Sequence, residues 1–479
     1  MKRIKYLLIF SFSLMMMSCA RNPVTGKSQL VLMSEAQEVE MGKEADPQII
    51  AQYGLYDDKA LQDFINEKGK AMAAVSHRPN LTYHFRVLDS DILNAFAVPG
   101  GYVYFTRGIM AFLNDEAQFA GVLGHEIGHI AARHSVIQQR NAMLGQLGLL
   151  AGMVASPEFA QIAGSASQGL SLLFLKFGRD DETQSDKLGV EYSSKIGYDA
   201  HHMASFFTTL ERQSSTPNAQ ALPEFLSTHP NPANRSVKVN DLATQWQTKL
   251  NLTNPIVNRN SYLKRIEGLV YGPDPRQGFF EQNTFFHPEL KFQFPIPQGW
   301  QTQNLPTRID AAPKDGKALL SFVPAKGSSL RDAADKLVTE NKFTNTQLSE
   351  TMVNGFKALV LHADQESSQS GAIKILAYFI QQGSNMYCIT GISKRNDFSE
   401  YESVFLQTMR GFKALTDSDK LNRKPERIRI KTIVASTTLQ QALQSFNQPQ
   451  KRYDELAILN GMELTDKLDK GMMIKTIGQ

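Results

Sequence analysis

The stretch VLGHEIGH at residues 122–129 contains the pattern H-E-x-x-H. Residues four apart lie on one face of a helix, so the imidazoles of His125 and His129 can both reach one Zn²⁺ ion. Glu126 lies beside them and can act as a general base toward a water molecule. The flanking residues 115–123 begin with two acids and contain no proline, which favours a helix. The stretch therefore predicts a zinc site on a helix.

A third metal ligand must come from elsewhere, because a catalytic zinc site needs three protein ligands and an open position. His134 is close in sequence, but a separation of nine residues is about 900° of rotation, the opposite face from His125 on a continuous helix. We expect His134 to be a packing residue or to contact a ligand from behind. Glu182 could ligate the metal, and Asp186, one turn later, could accept the N–H of a ligating histidine. An ordinary acidic helix start at 180–182 explains that spacing equally well.

Length and composition indicate an ordinary globular protein. The chain has 479 residues, of which 42% are hydrophobic and 20% charged, and this length suggests about three domains. Its 51 Lys and Arg residues against 47 Asp and Glu residues give a formal net charge of +4. A chain so close to neutral offers no electrostatic case for a nucleic-acid partner. Two cysteines, Cys19 and Cys388, exclude a disulfide-dense scaffold.

The N-terminus predicts an export signal at residues 1–18. Three basic residues precede an uncharged apolar stretch at 6–17, which is too short to span a bilayer. Ser18-Cys19 follows and resembles a bacterial lipobox, although Met stands where Leu is usual. This predicts a lipoprotein acylated at Cys19, with an ordinary cleaved signal or a core cysteine as the alternatives. Ala20 after the cysteine favours the outer membrane, for a Gram-negative source.

Five motifs, taken in order, resemble those of CAAX-prenyl-protease/HtpX-type zinc metallopeptidases in their exported bacterial form. The motifs are Asn22–Gly26, Asn94–Gly101, Val122–His129, Glu182-x-x-Ser185-Asp186-x-x-Gly189, and Thr228-His229-Pro230 with Arg235. The resemblance covers residues 22–245. It implies a zincin fold with the active-site helix under a small sheet. It also implies one zinc ion held by His125, His129 and Glu182, with Asp186 behind a ligand.

The same resemblance leaves the role of His229 open. This histidine could reach the open position of the metal, which would make the enzyme latent. It could instead be a catalytic residue that donates to the oxyanion of the tetrahedral intermediate, or a turn residue without chemistry. Strand Tyr102–Thr106 is expected beside the site as an edge strand, to which an extended substrate adds as another strand. A structural hairpin turn before it does not exclude that role.

The chain as a whole predicts an α+β architecture. A mainly helical, zincin-like metallopeptidase domain with a small sheet is followed by an α/β sandwich domain and a small C-terminal module. The expected boundaries are a lipoprotein signal peptide at 1–18, a metallopeptidase domain at 19–252, a linker at 253–279, an α/β accessory domain at 280–415, a linker at 416–427 and the module at 428–479.

Two segments need separate interpretation. Residues 144–177 are rich in Gly and Leu but are interrupted by Pro157 and Glu158, which predicts a helical hairpin over the active site and no transmembrane span. The module at 428–479 resembles a degenerate LysM-like unit. Ser-Thr-Thr at 436–438 stands where Gly-Asp-Thr is usual, so peptidoglycan binding, protein docking and a structural role all remain open.

These features together predict a lipid-anchored, periplasm-facing zinc endopeptidase of the bacterial envelope. Its expected partners are misfolded or unassembled envelope proteins as substrates, the membrane through Cys19, and peptidoglycan or envelope proteins through 428–479. The alternative is an envelope assembly factor or chaperone-like binding protein with a latent metal site. The intact Glu126 favours catalysis, whereas residues 253–479, which the chemistry does not need, favour binding.

Overall fold

The computed structural model describes residues 19–30, 33–138, 177–215, 224–229, 234–366 and 372–479. Within them, the chain up to Gly272 and the segment Glu426–Gln479 form one compact unit, and Pro273–Pro425 form a second. We call these the first unit and the second unit. The mixture of helices and sheets confirms the predicted α+β class at this coarse level, while the domain boundaries given above remain predictions.

The first unit contains a three-stranded sheet and a set of helices before Gly272. Its helices there are α1 (Glu35–Tyr53), α2 (Lys59–Ala74), α3 (Arg107–Phe112), α4 (Glu116–Ala132), α5 (Arg179–Lys195), α6 (His201–Ser214), α7 (Glu224–Thr228), α8 (Arg235–Leu250) and α9 (Arg259–Arg265). Its strands there are β1 (Cys19–Arg21), β2 (Ser28–Leu30), β3 (His84–Leu88), β4 (Ala95–Val98) and β5 (Tyr102–Thr106).

Helix α4 carries the H-E-x-x-H pattern. It begins after Asp115, whose side chain accepts a hydrogen bond from the backbone N–H of Gln118 at 2.7 Å, as N-cap residues do. Every residue of α4 is buried. The helix ends at Ala132 because Arg133 adopts a left-handed conformation with φ 61°. The predicted continuous helix through His134 is therefore wrong, because the chain turns at Arg133.

Side chains from distant segments hold the C-terminal end of α4. Asn22 Nδ2 donates to the carbonyl of Ala132 at 3.1 Å, and Asn22 Oδ1 accepts two backbone N–H groups of its own turn at 2.8 and 3.0 Å. Arg78 Nη1 donates to the carbonyl of Ile130 at 3.1 Å. These bonds satisfy carbonyl groups that a helix end leaves without intrahelical partners. The motif at 22–26 therefore caps the active-site helix.

Facing glycines bring the backbones of α4 and α5 close together. A Cβ atom added at Gly124 would lie 2.9 Å from the carbonyl oxygen of Gly189. A Cβ atom added at Gly189 would lie 3.0 Å from the backbone nitrogen of His125. Any larger residue would therefore push the helices apart. This close approach brings Glu182 and Asp186, both on α5, up to the histidines of α4.

The sheet of the first unit has the strand order β3-β5-β4, in which β3 pairs parallel and β4 antiparallel with β5. The prediction of a strand at Tyr102–Thr106 is confirmed, but its predicted edge position is wrong because it has a partner on each side. The two edge strands are β3 and β4, and all four residues of β4 are buried. Gly100 and Gly101, with φ 83° and 94°, make the turn between the two strands.

The second unit is built on a seven-stranded antiparallel sheet with the order β12-β13-β14-β15-β11-β10-β9 and a smaller sheet with the order β16-β8-β7-β6. The strands are β6 (Phe279–Glu281), β7 (Thr284–His287), β8 (Phe292–Pro295), β9 (Gln301–Leu305), β10 (Arg308–Ala312), β11 (Ala318–Pro324), β12 (Thr344–Val353), β13 (Phe356–Gln365), β14 (Ile373–Gln382), β15 (Asn385–Lys394) and β16 (Lys413–Ala414). The helices are α10 (Leu330–Asn341), α11 (Phe398–Arg410) and α12 (Ser418–Leu421).

Two helices cover the two faces of the large sheet. Alternate residues of β13 belong to two different hydrophobic clusters, one packed with α10 and the other with α11. Because successive residues of a strand point to opposite faces, α10 and α11 lie on opposite faces. The sequence pattern predicts strands at 318–323, 357–362, 373–381 and 386–392 and a hairpin turn at 382–385. The structure confirms all four strands and the turn. The long strand β12 has no counterpart among the predicted strands.

The C-terminal segment belongs to the first unit. Its elements are β17 (Arg427–Thr432), β18 (Thr437–Thr438), α13 (Leu439–Ser445), α14 (Tyr453–Leu459), β19 (Lys467–Leu468) and β20 (Met473–Gly478). The buried Lys475 donates from Nζ to the carbonyls of Ala111 and Leu113 at 2.7 and 3.1 Å, at the end of α3. Arg212 Nη2 donates to the carbonyl of Met462 at 3.0 Å. The segment thus contacts the chain directly before α4.

Two predictions fall outside the described residues, namely the signal peptide at 1–18 and, except for Phe177, the helical hairpin at 144–177. Cys19 is the first residue of β1. In the part of the chain that the structure describes, no helix is both long and apolar enough to cross a membrane.

The contact between α4 and α5 generates a first prediction. We expect Gly189→Ala to lower the free energy of unfolding by about 1–3 kcal/mol, because the added methyl group meets backbone atoms that cannot move aside separately. Zinc binding should weaken as well, since α5 carries Glu182. Thermal unfolding and the number of zinc ions bound per chain measure the two effects. Gly178→Ala is the matched control, because the nearest atom to its added Cβ would be 3.5 Å away. Equal melting temperature and zinc content in the two variants would contradict the close-packing account.

Candidate metal centre

Four buried side chains from three segments form one cluster. His125 and His129 come from α4, Glu182 from α5, and His229 from the residue after α7. Each is at most 1% exposed. One potential ligand atom from each lies within 4.8 Å of all the others. The cluster thus unites the three predicted metal ligands with His229.

The distances within the cluster fit a tetrahedral zinc site. His125 Nε2 lies 3.0 Å from His129 Nε2 and 3.2 Å from His229 Nδ1. Glu182 Oε1 lies 3.0 Å from His229 Nδ1 and 3.4 Å from His129 Nε2. Zinc with ligands at about 2.0–2.1 Å in tetrahedral geometry requires ligand atoms about 3.3 Å apart. A cation between the imidazole nitrogens explains why they lie so close together. The residues therefore fit a zinc ion.

The protonation states of two cluster residues also fit a cation. Burial raises the pKa of Glu182, but the neighbouring His229 and His129 lower it further, so this pKa lies well below its usual range. Burial holds the pKa of His129 well below its usual range. An ionised carboxylate and a neutral imidazole are the forms that ligate zinc. The cluster therefore presents one negative charge and a nitrogen lone pair where the metal would bind.

Asp186 and Arg235 lie behind the His125 ring. Asp186 Oδ1 lies 2.9 Å from His125 Nδ1, on the side of the ring away from the cluster. Arg235 donates to both oxygens of Asp186, from Nη2 at 2.7 Å and from Nε at 2.8 Å. Its guanidinium stacks 3.8 Å above the Phe207 ring. A carboxylate held in this way fixes the tautomer of a ligating histidine, so that Nε2 faces the metal.

Arg235 also compensates the buried negative charge. Its Nη2 lies 3.3 Å from Glu182 Oε2. Burial raises the pKa of Asp186, but Arg235 and His125 lower it further, so the net shift is downward. One buried guanidinium therefore stabilises two buried carboxylates, which would otherwise be costly to remove from water.

Glu126 lies beside the cluster without joining it. Neither oxygen of its buried carboxylate has a hydrogen-bond partner within the described residues. Oε1 lies 3.7 Å from His229 Nε2. Burial raises the pKa of Glu126, and His229 and His125 oppose that shift only in part. A buried carboxylate that has no hydrogen-bond partner and lies beside the cluster is placed to accept a proton from a water molecule.

His229 reaches the cluster because α7 places it there. Its backbone N–H donates to the carbonyl of Phe225 at 2.8 Å, and its ring stacks on the Phe225 ring with centroids 4.6 Å apart. The backbone N–H of Phe225 in turn donates to the carbonyl of Leu93 at 3.2 Å. Burial lowers the pKa of His229, but the carboxylates of Glu182 and Glu126 raise it more.

His134 contacts the cluster from behind. Its Nδ1 lies 3.0 Å from His129 Nδ1, and its Nε2 lies 2.9 Å from Gln184 Oε1. The turn at Arg133 makes this possible, because it returns the chain toward the His129 ring. His134 was expected to pack or to contact a ligand from behind, and its position behind His129 agrees with this, although α4 does not continue to His134.

Two aromatic residues that were not among the predicted site residues pack around the cluster. Phe177 packs against His129 with ring centroids 4.0 Å apart, and Phe225 stacks on His229. The spacing of four residues between Phe225 and His229 is a helical signal that could have indicated their contact. No comparable signal identifies Phe177, since its partner is 48 positions away in the chain.

Comparisons with known proteins agree with this geometry. Residues 59–243 match the model of Peptidase family M48. The chain is 31% identical over 237 residues to the "Beta-barrel assembly-enhancing protease" of Escherichia coli (strain K12), covering 47% of each protein. It is 31% identical over 267 residues to the protein of the same name in Yersinia pestis, covering 53% of this chain and 52% of that protein.

A mitochondrial protein is similar over a shorter stretch. The chain is 30% identical over 183 residues to the "Mitochondrial metalloendopeptidase OMA1" of Arabidopsis thaliana, covering 38% of this chain and 36% of that protein. The chain thus spans about half or less of the length of these curated relatives. The matches and the buried cluster together support a zinc metalloendopeptidase with one zinc ion.

The contact behind His125 generates a second prediction. We expect Asp186→Asn to weaken zinc binding by about 10–100-fold, because an amide holds the His125 tautomer less firmly. The substitution also removes one of the two carboxylates that pair with the buried guanidinium of Arg235. Competition with a fluorescent zinc chelator measures the affinity. Asp180→Asn is the matched control, since Asp180 is an exposed residue of the first turn of the same helix. Equal zinc affinity of the Asp186→Asn and Asp180→Asn variants would contradict the positioning role of Asp186.

Proposed function

We propose that this chain is a zinc-dependent endopeptidase of the bacterial cell envelope that hydrolyses peptide bonds of misfolded or unassembled envelope proteins. The observation that carries the proposal is a buried four-residue metal cluster with an unpartnered carboxylate, that of Glu126, directly beside it. This combination provides both the ligands and the base that metal-assisted hydrolysis requires.

The proposed mechanism assigns a role to each side chain. His125, His129 and Glu182 hold the zinc ion, and Asp186 with Arg235 fixes the orientation of His125. When bound, zinc polarises the scissile carbonyl and makes water more acidic. Glu126 takes the proton of the attacking water at a carboxylate oxygen and returns it to the leaving amine nitrogen.

His229 is proposed to keep the site latent at rest. The support is its Nδ1 atom, which lies 3.2 Å from His125 Nε2 and 3.0 Å from Glu182 Oε1. Those distances suit a fourth ligand, and a fourth protein ligand fills the position that substrate and water need. Activity then requires His229 to leave the cluster.

A catalytic role for His229 is the competing assignment. Its Nε2 atom is buried, has no hydrogen-bond partner in the described part of the chain and lies 3.7 Å from Glu126 Oε1. From a displaced position this ring could donate to the oxyanion that forms on the substrate. The two assignments predict opposite effects when the imidazole is removed.

The proposed substrates and location depend on the relatives and on the N-terminal sequence. Two of the relatives described above are named as beta-barrel assembly-enhancing proteases, which supports a site of action in the bacterial envelope. We propose acylation at Cys19 and attachment to the outer membrane facing the periplasm. The lipobox-like residues that precede this cysteine support the anchor.

A binding function is the second candidate. The metal cluster is enclosed, with all four side chains at most 1% exposed, and such closure suits an assembly factor or chaperone-like protein. The C-terminal segment is a candidate docking surface for peptidoglycan or an envelope protein. Its contacts with the rest of the first unit through Lys475 and Met462 favour a structural contribution as well.

The proposed base generates a third prediction. We expect Glu126→Gln to lower casein cleavage by about 10²–10⁴-fold while zinc is retained, because the amide cannot accept the proton of water. Cleavage is measured on the zinc-loaded chain from residue 20 onward, with bound zinc counted in parallel. Glu191→Gln, on the outer part of α5, is the matched control and should cleave normally. If wild type and Glu126→Gln both hold zinc and neither cleaves casein, the result favours the binding function over the endopeptidase. If the wild-type chain binds no zinc, the proposed metal site is wrong.

The proposed latency generates a fourth prediction. We expect His229→Ala to raise casein cleavage by roughly tenfold, as removal of a closed state favoured by about 1.4 kcal/mol would do. The same assay measures it, and His201→Ala, on α6 outside the cluster, is the matched control. Unchanged or lower activity would rule out latency, and a loss of kcat with unchanged KM would favour the oxyanion role.

A further inference from the structure

The second unit contains a long strand with one unpaired side. Strand β12 lies at the end of the seven-stranded sheet and pairs with β13 alone among the described residues. Only Val353 of this strand is buried and only Leu348 is half-buried; its other residues are exposed. The strand therefore projects beyond α10 and α11, which cover the two faces of the rest of the sheet.

The turn after β12 shows which of its backbone groups are paired. Asn354 and Gly355 form a two-residue turn, with φ of 45° and 88°, and Val353 pairs with Phe356 across it. In a hairpin of this kind the pair next to the turn exchanges both backbone hydrogen bonds. Successive pairs along an antiparallel ladder then alternate between bonded and non-bonded.

The alternation assigns every second residue of β12 to the free edge. Counting back from Val353, the odd-numbered residues of the strand direct their N–H and C=O groups at β13. The even-numbered residues direct theirs away from the sheet, and these outward residues are Leu348, Glu350 and Met352. The free edge thus presents N–H and C=O groups at the two-residue spacing of an extended chain.

From Gln347 to Val353 this edge lacks lysine, proline, a bulge and, among the described residues, a covering element, which are the devices that usually protect edge strands. The register with β13 shifts between Thr344 and Gln347, but it is unbroken from Gln347 to Val353. That run reads QLSETMV, with Glu350 as its only charged residue and without proline. Met352 is 60% exposed.

We propose that the free edge of β12, from Gln347 to Val353, binds an extended segment of another polypeptide chain as an added strand. Backbone pairing supplies the affinity in this mode of recognition, and side chains at alternate positions supply the selectivity. With one carboxylate and one exposed methionine on the outward residues, the surface accepts segments with an apolar residue opposite Met352 and an uncharged or basic residue opposite Glu350. Non-native polypeptides offer such segments.

A second copy of this chain fits the edge poorly. Two-fold pairing of the run Gln347–Val353 with itself is centred on its middle residue, so Glu350 would face Glu350. Like charges directly opposite each other on paired strands are destabilising. The inference concerns binding alone, and it holds whether or not the metal centre cleaves what is bound.

The experiment measures peptide binding to the full chain carrying Glu126→Gln, so that cleavage does not interfere. The probe is a fluorescein-labelled ten-residue peptide of alternating threonine and valine with one central lysine, followed by fluorescence anisotropy. Glu350→Pro removes an outward N–H without touching the bonds to β13, and Glu350→Ala removes the same carboxylate but keeps the N–H. We expect the proline variant to bind about tenfold more weakly than the alanine variant.

Equal affinity of the proline and alanine variants overturns the proposal. If the proline variant does not fold, amide hydrogen exchange of the Glu350→Ala chain is measured with and without the peptide. The peptide should slow the exchange of the backbone amides of Leu348 and Met352. Unchanged exchange at both amides overturns the proposal. Self-association that Glu350→Pro abolishes, without peptide binding, assigns the edge to a second copy and overturns it too. Absence of casein cleavage bears only on the metal centre and leaves these outcomes unaffected.

Discussion

The close approach of α4 and α5 is the contact on which the site depends. Gly124 and Gly189 face each other with no side chain between them, so the two helix backbones nearly touch. At this distance a carboxylate on α5 reaches imidazoles on α4. With larger residues at the two positions, Glu182 would stand too far from His125 to share one metal ion. Helix packing distances normally depend on the side chains at the contact, and here glycine sets the minimum.

Burial of charge is the cost of this arrangement. Glu182 and Asp186 lie in a region almost without solvent, where an unpaired carboxylate is strongly disfavoured. Arg235 offsets part of this cost by contacting both carboxylates, and a bound cation would offset the rest. The stacked Phe207 ring holds the guanidinium in place. Loss of the metal should therefore lower the free energy of unfolding of the first unit, because the free energy of metal binding contributes to folding.

Enclosure and catalysis make opposite demands on this site. Dry surroundings strengthen each electrostatic interaction around the metal, but a peptide substrate must be able to enter. Under the proposed latency, His229, which follows α7, must leave the cluster before a peptide can enter. In the second unit, by contrast, the free edge of β12 is exposed without any rearrangement. Under the two proposals, the edge of β12 would bind a polypeptide and the enclosed metal site would cleave it, so binding and cleavage would use different surfaces.

Local patterns in the sequence were sufficient for the helix that carries H-E-x-x-H and for four of the seven strands of the large sheet in the second unit. The H-E-x-x-H spacing identifies His125, Glu126 and His129 because a helix of 3.6 residues per turn places them together regardless of the rest of the chain. Continuous apolar runs identify β13 and β14, since both faces of the sheet are covered there. Strand β12 has no such run, because all of its residues except Leu348 and Val353 are exposed.

What only the tertiary structure decided involves residues far apart in the chain. Spacing left Glu182 open between a ligand and an ordinary helix start, and the glycine contact between α4 and α5 brings it to the histidines. The edge position expected for Tyr102–Thr106 was wrong because strand order depends on which segments pair, and each of its sides has a partner. His134 lies behind His129, as expected, but the left-handed turn at Arg133 that brings it there depends on contacts of the helix end with other segments. A periodic pattern determines which face a residue occupies, whereas its distance from another element depends on packing that no local pattern encodes.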